Sequence, residues 1–189
     1  MAREPRLMLI ARPPRAVVDR LYQSLVDAGI IAMLGGEMFP TANWHQSLSD
    51  AWSEVQQIHD AMMRAGDELV AAPVTMQLAQ IDGPRQNGRR LDWVIRPSAS
   101  VGGFADLVGA VRSSLQKHGI NERAGHTPHI TASYRGPHLL PKKPIAPVEW
   151  TIDTVELVAT RETPYRYETL ARWPLTGAPE PRPQMSLSF

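Results

Sequence analysis

Strand-like patterns and amphipathic helical patterns alternate along this chain, and their order limits the fold more than any other feature. Helices are predicted where apolar residues recur at spacings of three and four, and strands where short apolar or alternating runs lie between turn signals. The predicted helices cover 14–28, 50–69 and 104–115, and the predicted strands cover 7–11, 44–48, 74–81, 91–95, 129–134, 150–160 and 166–170.

Two segments carry the clearest of these patterns. Residues 74–81 alternate apolar and polar side chains, and turn signals at 82–88 lead into the next strand. In the helix at 104–115, apolar residues recur at spacings of 3, 4, 7 and 11, and Gly119 ends the pattern. This order of elements predicts an α+β fold in which helices cover the outside of sheets. The similar spacing of the two halves suggests a duplicated lobe.

Three segments are predicted to lie outside regular structure. Residues 137–147 contain four prolines and are predicted to form a stiff loop. Residues 176–189 contain three prolines and little pattern, which indicates a tail after a single domain at 1–175. Arg85, Arg89 and Arg90 surround the turn between two strands, either as a solvated hairpin or as a basic flap that touches RNA phosphates.

Composition excludes several classes of protein. The 189 residues contain no cysteine, so disulfides, thiolate catalysis and cysteine-ligated zinc are excluded. A formal net charge of +1 argues against bulk electrostatic binding to duplex DNA, although it leaves room for a local basic site. No apolar run approaches the roughly 20 residues that span a bilayer, and no signal peptide opens the sequence. We therefore expect a cytoplasmic monomer with no membrane association.

Two short segments share a histidine followed, two residues later, by a hydroxyl residue. They are His45-Gln46-Ser47 and His129-Ile130-Thr131, 84 residues apart. On a strand, residues i and i+2 point to the same face, so each segment would present an imidazole beside a hydroxyl. Two such pairs could hold a phosphodiester, one imidazole activating the attacking oxygen while the other protonates the leaving oxygen. The pattern alone is also compatible with two ordinary structural histidines.

The surroundings of both segments resemble the 2H phosphoesterase superfamily, and within it the RNA 2′,3′-cyclic phosphodiesterases, also called 2′-5′ RNA ligases. The mark of that family is a pair of His-x-Thr/Ser motifs. Asn43-Trp44 resembles the usual lead-in to the first motif, and Thr127-Pro128 resembles that to the second. Residues 6–11 and 167–175 resemble the first and last strands of the family, so the resemblance covers about 6–175.

The resemblance implies a bilobal α+β fold with two pseudo-symmetric antiparallel sheets and a central groove. It also implies metal-independent hydrolysis of RNA 2′,3′-cyclic phosphate ends to a 2′-phosphate, with reversible 2′-5′ ligation. His45 would be the proton donor, His129 the proton acceptor, and Ser47 and Thr131 the phosphate ligands.

Two departures from the family pattern bear on substrate binding. The first motif carries Ser47 where threonine is common. Tyr134 stands where many relatives carry a basic residue, so either Arg135 substitutes or Tyr134 offers a stacking face to the substrate.

The remaining histidines are assigned no chemistry. His126 and His129 lie three residues apart, but Pro128 rules out a shared helical face and no third ligand follows, so no metal site is expected. His59, His118 and His138 are expected to be solvated or half-buried. The five tryptophans, Trp44 included, are expected in the core rather than under nucleobases.

The sequence leaves the substrate open. No glycine-rich nucleotide loop is present, so we expect no ATP and no cofactor. The alternatives to an RNA end are a small cyclic nucleotide or 2′-5′ oligoadenylate as the substrate of a related enzyme, and a non-catalytic RNA or nucleotide-binding module.

Overall fold

The computed structural model describes residues 4–83, 91–123, 125–162 and 165–177, in which helices and strands alternate. Arg85, Arg89 and Arg90 and most of the predicted tail lie outside these ranges. In chain order the elements are β1 (Arg6–Ala11), α1 (Arg15–Asp27), α2 (Ile30–Leu34), β2 (Gln46–Ser47), β3 (Trp52–Ser53), α3 (Gln56–Asp67), β4 (Val74–Gly83), β5 (Trp93–Pro97), α4 (Phe104–Lys117), β6 (Ile130–Ser133), β7 (Leu140–Ile152), β8 (Thr154–Arg161) and β9 (Arg166–Pro174).

The strands form two antiparallel sheets, which define two lobes. In the first lobe the order is β2-β1-β8-β9, with β3 also paired to β1, so this sheet joins both ends of the chain. In the second lobe the order is β6-β5-β4-β7, from the middle of the chain. Every pairing among the described strands is antiparallel. The predicted α+β, two-sheet architecture is confirmed.

The two faces of β1 show how the first sheet separates core from site. Leu7, Leu9 and Ala11 belong to the main core, whereas Ile10 belongs to a second buried cluster on the opposite face. That cluster contains Val158 and Tyr167. One face of the first sheet therefore builds the core, and the other builds the surroundings of His45.

The helices join the lobes to each other. Ser24 of α1 donates from Oγ to the carbonyl oxygen of Ala146 on β7, so a helix that follows a first-lobe strand lies along the second sheet. Ser114 of α4 donates from Oγ to the carbonyl oxygen of Ala65 on α3 at 2.6 Å. Gly66 of α3 lies directly under the indole of Trp173, which leaves no room for a Cβ.

The predicted proline loop at 137–147 is wrong, because most of it belongs to the long strand β7. This strand lies at the edge of the second sheet as the structure describes it, paired there with β4. In an edge strand, every other backbone N–H points away from the partner strand and forms no hydrogen bond within the sheet. A proline at such a position removes no hydrogen bond, so an edge strand can contain several prolines whereas an interior strand cannot. The predicted strand at 150–160 is also wrong: it divides at Asp153 into β7 and β8, which belong to different sheets.

The predicted helix at 50–69 begins only at Gln56, because the residues before it are held in another conformation. Trp52 and Ser53 form the short strand β3 against β1. The backbone N–H of Asp50 and the indole Nε1 of Trp52 both donate to the carboxylate of Glu122. The short helix α2 was not predicted.

Most tryptophans lie where the sequence predicted. Trp44, Trp93 and Trp150 are fully buried, and Trp52 and Trp173 are partly buried against the core. Among the described residues, no helix is long and apolar enough to cross a membrane.

Candidate active site

The two histidine motifs lie at the start of two edge strands, one in each lobe. His45 immediately precedes β2, which pairs with β1, and His129 immediately precedes β6, which pairs with β5. The strands predicted at 44–48 and 129–134 are therefore shorter than expected, and both histidines sit at the point where the chain enters the sheet.

Both imidazoles are held by the same local hydrogen bond. Nδ1 of His45 lies 2.8 Å from the carbonyl oxygen of Asn43, and Nδ1 of His129 lies 2.8 Å from that of Thr127. A carbonyl oxygen can only accept, so each Nδ1 must carry the proton. Nε2 is then the one ring nitrogen of each histidine that is available for proton transfer.

Burial keeps both imidazoles neutral at pH 7. Only 7% of the His45 surface is exposed, and this burial lowers its pKa from 6.5 to about 4, against the opposing effect of the Asn43 hydrogen bond. The charges of His129 and Arg12 lower the pKa of His45 further. Burial also lowers the pKa of His129, with a smaller contribution from Arg96. Since His129 is among the groups that lower the pKa of His45, the two motifs lie near each other.

Gln46 links the two motifs directly. Its side chain is fully buried, and Oε1 accepts a hydrogen bond from the backbone N–H of His129 at 2.6 Å. Its Nε2 donates to the carbonyl oxygens of Ser47 and Thr127. The residue between His45 and Ser47 in the first motif therefore contacts the second motif, and the structure brings both motifs together.

Ser47 and Thr131 occupy equivalent cross-strand positions. Ser47 lies opposite Ile10, and Thr131 lies opposite Val94. Thr131 is 9% exposed and Ser47 is half-buried. The residue paired with Ile10 on β8 is Glu156, and the residue paired with Val94 on β4 is Asp82, so each sheet has a carboxylate at the equivalent position.

Each histidine also has an arginine on the neighbouring strand. Extending the pairing Ala11↔Gln46 by one residue places Arg12 opposite His45, and extending Ile95↔Ile130 places Arg96 opposite His129. Each arginine forms an ion pair through Nε at 3.1 Å, Arg12 with Glu156 and Arg96 with Asp82.

Neither arginine was predicted as a site residue, although the sequence carries a signal for both. Two apolar residues, an arginine and a proline occur at 10–13, where the chain leaves β1, and again at 94–97, at the end of β5. Together with the two His-x-hydroxyl segments, these tetrapeptides give the two halves of the chain a similar local pattern.

Tyr134 and Arg135 line a cavity of about 230 Å³ beside the site. The other lining residues come from the connection at 36–40. This connection lies against β6, because the N–H of Phe39 donates to the carbonyl oxygen of Ala132 at 2.8 Å. The ring of Phe39 contacts Tyr134 edge-on at 5.0 Å.

Aromatic rings connect this cavity to His45. Phe39 contacts Tyr165, Tyr165 contacts Tyr167, and the Tyr167 ring lies edge-on to the His45 imidazole at 4.8 Å. Burial and the hydrogen bond from Tyr165 raise the pKa of Tyr167, so its phenol stays neutral. The site therefore has an imidazole pair at its centre and an aromatic wall on one side.

His126 lies with acidic side chains rather than with His129. One carboxylate oxygen each of Asp50 and Glu122 and one ring nitrogen of His126 lie within 4.8 Å of one another. The carboxylates already accept hydrogen bonds from the N–H groups of Asp50 and Arg123 and from the Trp52 indole. These hydrogen bonds connect the segment at 50–52 to the segment at 122–123, which precedes β6.

The other histidines lie outside this centre. His118 faces Glu68, with 3.3 Å between Nε2 and a carboxylate oxygen, and His59 lies on α3 beside Asp60. His138 stacks edge-on against Trp93, and its carbonyl oxygen accepts a hydrogen bond from the Trp93 indole.

Comparison with known proteins finds similarity in structure alone. No protein-family model matches the sequence, and no curated protein matches it. The apo crystal structure of E. coli LigT superposes with a TM-score of 0.73 at 21% identity, covering 92% of this chain and 99% of LigT. LigT complexed with 3′-AMP gives a TM-score of 0.73 at 20% identity, with the same coverage. A Thermus thermophilus protein, TT0787, gives 0.69 at 20% identity over 91% of this chain and 98% of its own. Over nine-tenths of its length, the chain therefore has the bilobal α+β fold of LigT, the fold that the resemblance to the 2H phosphoesterases predicts.

Proposed function

We propose that this chain is a metal-independent phosphodiesterase that opens 2′,3′-cyclic phosphates at RNA ends and leaves a 2′-phosphate. The observation that carries the proposal is the matched pair of imidazoles, each with Nδ1 bonded to the carbonyl two residues earlier. Such a pair offers one Nε2 as a base and the other as an acid. A binding module has no need of two titrating groups held in this way.

The proton transfers balance across the two rings. Nε2 of His129 takes a proton from water as the water oxygen forms its bond to phosphorus. His45 enters this step as the imidazolium, protonated on both ring nitrogens in the substrate complex. The bond between phosphorus and the ribose 3′-oxygen breaks, and Nε2 of the His45 imidazolium donates its proton to that oxygen. The product carries a 2′-phosphate and a 3′-hydroxyl, and the two imidazoles have exchanged protonation states. Ligation to a 2′-5′ linkage follows the same course when a 5′-hydroxyl replaces water.

The hydroxyl and cationic groups around the rings suit a phosphate. Ser47 and Thr131 each lie two residues from a histidine, and their hydroxyls are donors for the non-bridging phosphate oxygens. Arg12 and Arg96 supply one guanidinium from each lobe, and their ion pairs hold them in place. The negative phosphate also favours the charged form of His45, which is disfavoured in the empty site.

The nucleotide part of the substrate fits beside Tyr134. LigT has been crystallised with 3′-AMP, ATP, NADP⁺ and phosphate, which supports a nucleotide ligand for this fold. In this chain Tyr134 offers a face for base stacking and Arg135 a cation for a neighbouring phosphate, both at the 230 Å³ cavity. The range of ligands on LigT also favours the second candidate, a small cyclic nucleotide as substrate.

The decisive experiment is product analysis with an oligonucleotide that ends in a 2′,3′-cyclic phosphate. We expect a 2′-phosphate product, and we expect His45→Ala and His129→Ala each to lower turnover by about 10²- to 10⁴-fold. His59→Ala, on α3, is the matched control and should keep the wild-type rate. A folded His129→Ala variant with wild-type turnover would show that the base has been assigned wrongly.

Tyr134→Ala tests base stacking at the cavity, and a comparison of substrates separates the two substrate classes. Loss of base stacking, worth about 1–3 kcal/mol, should raise KM about 5- to 160-fold with little change in kcat. Tyr22→Ala on α1 removes an exposed tyrosine far from the cavity in sequence and is the control. Turnover of cyclic mononucleotides at or above the rate for the oligonucleotide would favour the small-nucleotide substrate.

A further inference from the structure

We propose that Gln46 is a positioning residue, which holds the His129 segment in place from the opposite lobe. The inference rests on the proposed function in one respect, namely that His129 transfers a proton. The placement of Gln46 is independent of that role: its side chain is fully buried and reaches across to the backbone of the second motif.

The amide of Gln46 fits its partners in one orientation only. The backbone N–H of His129 can only donate, so it requires the amide oxygen, at 2.6 Å. The carbonyl oxygens of Thr127 and Ser47 can only accept, so they require the amide nitrogen, at 3.2 and 2.8 Å. Both ends of the side chain are therefore used.

One of these carbonyls also orients the imidazole. The Thr127 oxygen accepts from Nδ1 of His129 and from Nε2 of Gln46. Gln46 thus fixes both ends of the short segment that sets the ring, since it binds the backbone of His129 and the acceptor of its Nδ1 proton. The same residue lies next to His45 in sequence, so a displacement of either motif is transmitted to the other.

Loss of the amide should displace the imidazole more than it disturbs the fold. Without Gln46, the N–H of His129 loses its partner and one of two donors to the Thr127 oxygen disappears. A displacement of about 1 Å in a catalytic group can cost about 10²-fold in rate, because proton transfer needs an aligned geometry. We therefore expect the effect in kcat rather than in KM.

The test compares Gln46→Met with two control variants. Methionine keeps the length and the apolar stem but cannot replace the hydrogen bonds. Ser24→Ala and Ser114→Ala each remove a buried side-chain to backbone hydrogen bond elsewhere. We expect Gln46→Met to lower kcat about 10- to 100-fold with KM within about 3-fold of wild type, and to shift the NMR signals of the His129 ring nitrogens. The controls should lower thermal stability and leave both readouts unchanged.

Gln46→Glu provides a second variant with a distinctive pH signature. A carboxylate still accepts from the His129 N–H but opposes the Thr127 oxygen, whereas a protonated carboxyl group can donate to it. Activity relative to wild type should therefore rise as the pH falls, which a purely structural defect would not produce. This variant also decides the question if Gln46→Met does not fold.

The outcomes separate this inference from the proposed function. Wild-type His129 signals in both variants would overturn the positioning role, and so would altered signals with wild-type kcat. Altered His129 signals in a protein whose wild-type form opens no cyclic phosphate would refute the proposed function and leave the placement of His129 by Gln46 standing.

Discussion

Burial of His45 should make the protein sensitive to acid, and the size of the effect follows from its pKa. Removal from water lowers that pKa from 6.5 to about 4. The unfolded chain binds the proton near pH 6.5, and the folded chain binds it only near pH 4. The contribution of the neutral imidazole to stability is therefore complete above about pH 6.5 and is lost progressively as the pH falls to about 4. At about 1.4 kcal/mol per pKa unit, the total loss is about 3 kcal/mol.

The measurement is the free energy of unfolding in urea at pH 7 and at pH 4.5, for the wild type and for His45→Gln. Glutamine has no titration in this range, so the wild type should lose about 2–3 kcal/mol more than the variant between the two pH values. His59→Gln removes an imidazole that is one-third exposed and should follow the wild type. Equal acid losses in wild type and His45→Gln would mean that His45 is solvated, and the reasoning about the site would then be wrong.

Four further predictions concern chemistry and packing. The profile of kcat/KM against pH should be bell-shaped with its maximum on the acid side of neutrality, because the pKa values of both imidazoles are lowered in the free protein. The alkaline limb of the kcat profile should lie at higher pH than that of kcat/KM, because bound phosphate raises the pKa of both imidazoles. Turnover should persist in excess EDTA, since the proposed steps need only proton transfer and hydrogen-bond donors; loss that a divalent ion restores would favour a metal-dependent mechanism. Gly66→Ala should lower the free energy of unfolding by about 1–3 kcal/mol, because its Cβ would overlap the Trp173 ring. Gly109→Ala should instead raise the free energy of unfolding by about 0.5–1 kcal/mol in the same urea titration, because nothing lies within 4 Å of the added Cβ and alanine favours the helix.

The sequence predicted the elements whose patterns are local and failed where distant pairing decides. Helix α4 and strand β4 follow their periodicities closely. The residues 140–147 look like a loop because their prolines are local signals, while their place at the edge of the second sheet is not. The start of α3 was misplaced for a similar reason: Glu122, about 70 residues away, accepts hydrogen bonds from Asp50 and Trp52 that keep this segment out of the helix.

The same distinction applies to the site. The two His-x-hydroxyl segments at His45 and His129 are visible in the sequence because each motif is contiguous. Gln46 could not be predicted, since its partners lie 81 and 83 residues away and nothing in a His-Gln-Ser triplet indicates that the glutamine faces another lobe. Arg12 and Arg96 lie between these cases, because a repeated Arg-Pro at two strand ends is visible once the two halves are aligned.

The two lobes supply nearly identical local geometry, so in the proposed mechanism the difference between acid and base comes from the environment of each ring. His45 is buried with its ring against Tyr167, whereas His129 is only half-buried. A base that takes a proton from water needs contact with solvent, which favours His129. Burial disfavours the charged form of an acid, so such an acid is protonated mainly when an anion is bound beside it. His45 fits this description, because its pKa is about 4 in the empty site. In the proposed mechanism, unequal burial therefore gives two similarly held imidazoles opposite roles, and the acid becomes charged only when a phosphate is bound.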